Sequence, residues 1–166
     1  MHETTIPYIG KDNIQTFINE FINEVMMVNG INTELNMLIV GGSALDIKYG
    51  YRSTVDIDSE IRTRANIASC IKNVSQRLGI PKDFINEDFM KSHSYSRHLW
   101  DMAVLVYRVN STSIYVVSDI DQLCMKIVSG RTKDINDILV YTGQSHRARI
   151  HLWRCNESIK YFILWH

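Results

Sequence analysis

Two acidic residues separated by one apolar residue, Asp56 and Asp58, place the tightest constraint on how this chain folds. In Val55-Asp56-Ile57-Asp58 the apolar and acidic residues alternate with the period of a β-strand, so both carboxylates lie on one face. Two carboxylates held this close repel each other, and the pair is stable mainly when a divalent cation lies between them or water covers them. The sequence therefore predicts a strand with two acids on one face, covered by water or a metal ion.

A pair of glycines, Gly41-Gly42, comes fourteen positions before this strand and directly after a short apolar run, residues 37–40, that predicts a buried strand. Because glycine has no Cβ, the backbone amides of this turn can approach a phosphate closely, and the start of the following helix adds a favourable dipole. Ser43 is a candidate to bring its hydroxyl to the same phosphate. Gly41, Gly42 and Ser43 are therefore predicted to hold phosphates.

Together, the glycine turn and the acid pair give the arrangement that phosphoryl and nucleotidyl transfer require, since such catalysis consists mainly of positioning and charge neutralisation. Magnesium suits the acid pair because it takes few protein carboxylates and completes its octahedron with water and phosphate oxygens. Each motif alone has a simpler interpretation: Asp-x-Asp is common on solvated strands, and Gly-Gly is usually only a turn. The prediction depends on their combination across one short helix.

The rest of the chain predicts an α+β fold, a mixed β-sheet with helices packed on it. The predicted helices are 14–28, Ser43 to Gly50 (started by Ser43 with Asp46), 65–78, 82–90, Ser118 to Gly130 (started by Ser118 with Asp121), and 133–141. The predicted strands are 37–40, 55–58 and a hairpin of 100–108 with 113–117, and residues 91–98 are predicted to be a polar loop. A domain is predicted over residues 1–142, with a C-terminal extension over 143–166.

Gly-Gly, thirteen residues and then Asp-Ile-Asp resembles the signature of the DNA polymerase β-like nucleotidyltransferase superfamily. The segment GGSALDIKYGYRSTVDID resembles most the small toxin–antitoxin and abortive-infection (AbiEii-like) branch of this superfamily. In that branch Gly-Gly-x-Ala-Leu and Arg-x-Thr-x-Asp-x-Asp recur. Ser59 is a departure, because the pattern has an apolar residue there. The resemblance implies the nucleotidyltransferase fold.

A second block, residues 125–138, resembles the Lys…Arg-x-x-Asp-x-x-Asp-Ile segment found downstream in that branch. The resemblance assigns Lys126 to neutralising a triphosphate, and Arg131, Asp134 and Asp137 to the nucleotide. The alternative is a surface salt-bridge cluster that holds two helices together, since Asp134 and Asp137 share one helical face.

The resemblance also implies a third metal-binding acid on a neighbouring strand. Asp101, which precedes an apolar run, is the candidate, and Asp119 and Asp121 are alternatives. Asp121 is equally well explained by helix capping. Without such an acid, no residue is assigned to act as the general base that removes the proton from the hydroxyl group accepting the nucleotide.

Two further segments carry open interpretations. Arg52, shortly before the acid pair, is predicted to contact a phosphate, with an ion pair to Asp46 or Glu60 as the alternative. The C-terminal residues 146–166 mix basic and aromatic side chains, which fits either nucleic-acid binding or docking to a partner.

The composition of the chain limits which binding partners and which cellular compartment we expect. The 18 basic and 18 acidic side chains cancel, so any binding of nucleic acid must depend on a local patch. No apolar run approaches the roughly 20 residues that span a bilayer, and no export signal is visible. The three cysteines indicate neither a disulfide framework nor a zinc site. We therefore expect a cytoplasmic protein that is not bound to a membrane.

The resemblance implies an enzyme that uses Mg²⁺ or Mn²⁺ to transfer a nucleoside monophosphate from an NTP to an acceptor, with release of pyrophosphate. The acceptor would be RNA, a protein hydroxyl or a small molecule such as an antibiotic, and the association with defence systems suggests a cognate toxin or antitoxin as partner. The alternative is a catalytically silent binding protein with this fold, either an antitoxin or a regulatory subunit.

Overall fold

A computed structural model describes residues 13–50, 54 and 56–144 of the chain. Within these residues the fold is α+β, as predicted. The helices are α1 (Ile14–Asn29), α2 (Gly41–Tyr49), α3 (Ile67–Leu78), α4 (Asp119–Ser129) and α5 (Thr132–Gln144). The strands are β1 (Leu35–Ile39), β2 (Ile57–Thr63), β3 (Ile85–Asn86), β4 (Val104–Val109) and β5 (Thr112–Val116). The chain divides into two compact units, one within residues 1–89 and 103–117, and the other within 90–102 and 118–166.

The first unit contains a mixed five-stranded sheet in the order β3-β2-β1-β5-β4. The central strand, β1, runs antiparallel to β2 and parallel to β5, while β3 lies parallel to β2 and β4 antiparallel to β5. Leu35, Met37, Leu38 and Ile39 of β1 are completely buried, as expected for a strand with neighbours on both sides. Because β2 is antiparallel to β1, with Ser59 opposite Ile39, the start of β2 lies beside the end of β1.

Helix α1 packs through one apolar face and is joined to α3 by an ionic contact. The buried side chains of that face are Ile14, Phe17, Ile18, Phe21, Ile22 and Val25. Glu24 accepts hydrogen bonds from Arg77 at 2.7 Å and Asn73 at 2.8 Å, both on α3. These bonds lower the pKa of the Glu24 carboxyl, and its ion pair with Arg77 raises the pKa of the guanidinium. The contact therefore holds an ionised carboxylate between the two helices.

Most of the predicted elements are confirmed, and one is wrong. Residues 82–90 do not form the single predicted helix: they contain β3, followed by a short 3₁₀ helix at Asp88–Lys91. The backbone N–H of Ile57 donates to the Phe84 carbonyl at 2.6 Å, and the Phe84 and Ile85 side chains are buried. Pairing with β2 therefore overrides the local helical pattern.

Several element boundaries also differ from the prediction. Strand β4 begins at Val104 rather than at residue 100, because residues Arg97–Trp100 form a 3₁₀ turn capped by the Ser96 hydroxyl. Strand β2 continues to Thr63, beyond the predicted end at residue 58. Helix α2 begins at Gly41, two residues before the predicted start. Among the described residues, no helix combines the length and the apolarity that crossing a membrane requires.

Candidate active site

The glycine turn and the acid pair, separated in sequence, are in contact in the structure. Gly41 has a φ of +67°, in the left-handed region that favours glycine. A Cβ added to Gly41 would lie 2.9 Å from Oδ2 of Asp58, closer than side chains normally approach. Glycine is therefore needed at position 41 for the backbone conformation and also to leave space for the Asp58 carboxylate.

Two hydrogen bonds fix the segment that carries the acids against this turn. The backbone N–H of Val40 donates to the Asp58 carbonyl at 3.0 Å, and the Ser43 hydroxyl donates to the Asp56 carbonyl at 2.8 Å. The Ser43 side chain is buried, and α2 starts at Gly41, so Ser43 does not begin the helix as predicted. The Ser43 hydroxyl donates its hydrogen to the segment that carries the acids. Contact between Ser43 and a phosphate stays a prediction.

The Asp56 carboxylate receives one hydrogen bond on each oxygen. The Thr54 hydroxyl donates to Oδ1 at 3.1 Å, and the side-chain amide of Asn86 donates to Oδ2 at 3.3 Å. Asn86 lies on β3, directly beside Asp58 in the register of β2 and β3. Sequence reasoning missed Asn86 because it assigned this stretch to a helix. The apolar Phe84-Ile85 pair before it was the available signal for a strand.

These residues fit a divalent cation. Carboxylate oxygens are ligands that magnesium prefers, and each Asp56 oxygen can accept a further bond beside the one it already accepts. Thr54 and Asn86 are neutral donors, so they orient Asp56 without cancelling its charge. Within the described ranges no group of three or more His, Cys, Asp and Glu side chains is arranged so that it could hold a metal ion. A cation here would therefore take the two carboxylates and complete its shell with water or phosphate oxygens.

Asp101 lies in the second unit, at the end of the Arg97–Trp100 turn, with its side chain 66% exposed. Its Oδ2 is 2.9 Å from Nδ1 of His98, which is itself exposed. Its role as third metal ligand and general base stays a prediction. Of the two alternatives, Asp121 bonds the Ser118 hydroxyl through its backbone N–H at 3.1 Å, so the capping interpretation is confirmed.

The second unit also contains a buried ionic cluster. The Lys126 ammonium donates to Asp134 Oδ1 at 2.7 Å and to Asp137 Oδ2 at 2.6 Å. All three side chains are nearly inaccessible, with exposed fractions of 7%, 0% and 3%. Asp134 also accepts from Ser129 at 2.7 Å and from Arg131 at 2.5 Å.

Two opposing effects act on the pKa of Asp134. Burial raises it, but hydrogen bonds from Arg131, Lys126 and Ser129 together outweigh burial and hold the pKa well below its usual range. Asp134 is therefore ionised at neutral pH, and the cluster joins α4 to α5. This geometry agrees with the alternative interpretation, a helix-joining cluster, although the cluster is buried and not on the surface. Nucleotide binding by these residues stays a prediction.

The remaining predicted site residues are Gly42 and Arg52. Gly42 is buried in the first turn of α2, next to Gly41. Arg52 lies outside the described residues, as does the basic and aromatic segment from residue 146 onward.

A comparison with protein families agrees with the motifs and the fold. A family model described as a nucleotidyltransferase of unknown function (DUF6036) matches residues 17–142, which include the glycine turn, the acid pair and the ionic cluster. Searches of curated proteins and of solved structures gave no significant match. The AbiEii-like branch therefore stays a prediction. Because the match covers more than half of the chain, the protein belongs to this family of nucleotidyltransferases of unknown function.

Proposed function

We propose that this protein is a nucleotidyltransferase that depends on a divalent cation and transfers a nucleoside monophosphate from an NTP to an acceptor hydroxyl. The observation that carries the proposal is the contact between Gly41 and Asp58. It places a carboxylate against a glycine turn at the N-terminus of α2, with Asp56 two residues away on the same segment. An anion-binding helix start beside a cation-binding acid pair suits a metal-bound triphosphate.

In this proposal Asp56 and Asp58 hold magnesium or manganese. When bound, the ion would offset charge on the triphosphate and polarise the phosphorus under attack. The protein's own contribution is orientation: Thr54 and Asn86 each bond one oxygen of Asp56, which fixes how its carboxylate faces the ion.

The β and γ phosphates would lie at the glycine turn. A helix N-terminus presents backbone N–H groups and the positive end of the helix dipole to an anion. The missing side chains of Gly41 and Gly42 allow that anion to approach the backbone. The Ser43 hydroxyl, bonded to the Asp56 carbonyl, keeps the turn and the acid pair at a fixed separation. Phosphate and cation sites would thus form one rigid unit.

The proposed reaction is a displacement at the α phosphorus. The acceptor oxygen forms a bond to this phosphorus, the bond to the oxygen that bridges to the β phosphorus breaks, and pyrophosphate leaves. The hydroxyl proton passes to a base, a role that the sequence resemblance alone proposes for Asp101. We propose RNA or a protein hydroxyl as the acceptor, within a toxin–antitoxin or defence system, and this step depends on the sequence resemblance alone.

One observation favours a second function, nucleotide binding without transfer. Lys126, which the resemblance assigns to the triphosphate, is already hydrogen-bonded to two buried carboxylates. An ammonium whose charge two carboxylates already offset would neutralise little charge on a triphosphate, so such a chain would bind a nucleotide more readily than it would turn it over. Such a protein would act as an antitoxin or regulatory subunit.

A labelling experiment separates the two functions. The protein is incubated with each α-labelled NTP, magnesium or manganese, and total RNA or cell lysate, beside an Asp56→Asn/Asp58→Asn double variant. Glu34→Gln is the matched control, because Glu34 is an exposed acid just before β1, at the opposite end of that strand from the acid pair. Incorporation that the double variant loses and the control keeps supports transfer. Incorporation that survives in the double variant excludes this acid pair as its centre.

Thermal unfolding gives the second measurement. If wild type incorporates no label, but magnesium and NTP together raise its Tm and not that of the double variant, the binding function is the correct one. If neither incorporation nor a Tm shift occurs with any NTP, both functions are wrong for this site.

A further inference from the structure

We propose that Asn86 is a positioning residue that orients the Asp56 carboxylate toward the divalent cation. The inference rests on the proposed function and adds a residue that the sequence motifs do not contain. Its direct observation is the hydrogen bond from the Asn86 amide nitrogen to Asp56 Oδ2, at 3.3 Å. The fold brings the two together because β3 pairs with β2 next to the acids.

The orientation of the Asn86 amide is itself determined. Its oxygen Oδ1 accepts the backbone N–H of Asp88 at 3.0 Å, which leaves the nitrogen directed at Asp56. A carboxamide can donate only through its nitrogen, so reversing the amide would break both bonds. Asn86 is thus held at its oxygen end by the turn at Asp88 and presents a donor to Asp56 at the other end.

A neutral donor is the suitable partner for a metal ligand. Thr54 and Asn86 bond different oxygens of Asp56, so the carboxylate is restrained against rotation while its full charge is kept. A lysine or arginine in the same place would compete with the cation for that charge. The ionic cluster shows the contrast, because Asp134 is bonded to both Lys126 and Arg131 and its charge is neutralised within the protein.

Two substitutions at position 86 have distinct expected effects. Asn86→Ala removes the donor, so Asp56 rotates more freely and Mn²⁺ affinity falls by about 10-fold or more, as is common when the partner of a metal ligand is lost. Asn86→Asp keeps an acceptor for the Asp88 N–H but places a third carboxylate against Asp56. This variant is destabilised without metal by repulsion, and Mn²⁺ raises its Tm by more than it raises that of wild type.

The test measures Mn²⁺ alone, without nucleotide, on the full chain. Free Mn²⁺ is titrated by electron paramagnetic resonance, and Tm is recorded with EDTA and with Mn²⁺ for wild type, Asn86→Ala and Asn86→Asp. Asn23→Ala is the control, since Asn23 is an exposed asparagine on α1. We expect weaker Mn²⁺ binding in Asn86→Ala, a larger Mn²⁺-induced Tm rise in Asn86→Asp, and the wild-type response in Asn23→Ala.

The outcomes separate this inference from the proposed function. If wild type binds no Mn²⁺, the proposed cation site is wrong and the positioning role fails with it. If wild type binds Mn²⁺ and folded Asn86→Ala binds it equally well, the positioning role alone is wrong. If Asn86→Ala does not fold, Asn86→Asp decides: a Mn²⁺-induced Tm rise equal to that of wild type overturns the inference. A purely structural asparagine would lower Tm by the same amount with and without Mn²⁺.

Discussion

Replacement of Gly41 by alanine tests the central contact of the candidate site. The φ of +67° costs a residue with a Cβ about 1–2 kcal/mol in the left-handed region. For a chain of this size that free energy corresponds to a Tm lower by about 2–8 °C. The new Cβ would also meet Asp58 Oδ2 at 2.9 Å, whereas ordinary contact begins at 3.4 Å. The carboxylate must therefore retreat by the difference, about 0.5 Å, which exceeds the roughly 0.2 Å tolerance of metal–ligand distances.

Gly79→Ala is the matched control for this change. Gly79 has nearly the same φ, +65°, but a Cβ there would have nothing within 4 Å. Both variants should lose similar stability from backbone strain. Only Gly41→Ala should also lose the Tm rise that Mn²⁺, or magnesium with NTP, induces in wild type. The assay is thermal unfolding by circular dichroism, with EDTA and with each ligand.

A specific result would refute the reasoning. If Gly41→Ala is folded and responds to Mn²⁺ as strongly as Gly79→Ala does, the space at Gly41 does not serve the acid pair. The glycine turn and the acid pair would then be connected only by the hydrogen bonds of their backbones, and not by the space that Gly41 leaves for Asp58.

Three further changes test the rest of the fold. Lys126→Met removes the ammonium that both buried carboxylates bond, and leaves Asp134 with Arg131 as its ion-pair partner. The free energy of unfolding, measured by urea denaturation, should fall by about 3–5 kcal/mol, and a loss below about 1 kcal/mol would contradict the buried cluster. Ser118→Ala removes the cap of α4 and should lower the free energy of unfolding by about 1 kcal/mol in the same measurement. An unchanged free energy of unfolding would contradict the stabilising role of this cap. The pKa of Glu24 is lowered from 4.5 in the folded state, so the ionised carboxylate stabilises the fold above pH 4.5. Glu24→Gln should therefore be less stable than wild type above pH 4.5. The difference in free energy of unfolding should shrink as the pH falls through the folded pKa. A difference that does not shrink as the pH is lowered from 4.5 would refute the ionic contact with Arg77.

The sequence predicted those elements whose signals are local. Helix α1 begins and ends within one residue of its apolar stripe, and α3 ends at Gly79, whose left-handed conformation stops the helix. Ser118 caps α4 through the Asp121 N–H, as its spacing indicates. Caps and stripes act within one or two turns, so they can be read without knowing the fold.

The elements that were missed depend on partners distant in sequence. Strand β3 has only two residues, and its only local signal is the short apolar pair Phe84-Ile85, which does not reveal that β2 lies beside it. The Ser43 hydroxyl fits a helix start by spacing, yet it bonds the Asp56 carbonyl thirteen residues away. Asn86 was missed for the same reason, since its position follows from the pairing of β3 with β2.

The acid pair Asp56 and Asp58 and the acids of the ionic cluster, Asp134 and Asp137, have different partners, and these partners decide what each pair can do. Asp134 and Asp137 both bond the buried Lys126 ammonium and Asp134 also bonds Arg131, so two positive charges balance this pair inside the protein. Asp56 is bonded to the neutral groups of Thr54 and Asn86, so its charge is oriented and not cancelled. If a cation binds as proposed, it would relieve the repulsion between Asp56 and Asp58, whereas the second pair would gain little from one. A metal-induced rise in Tm should consequently disappear on substitution of the first pair. Substitution of the second pair should lower Tm whether or not metal is present.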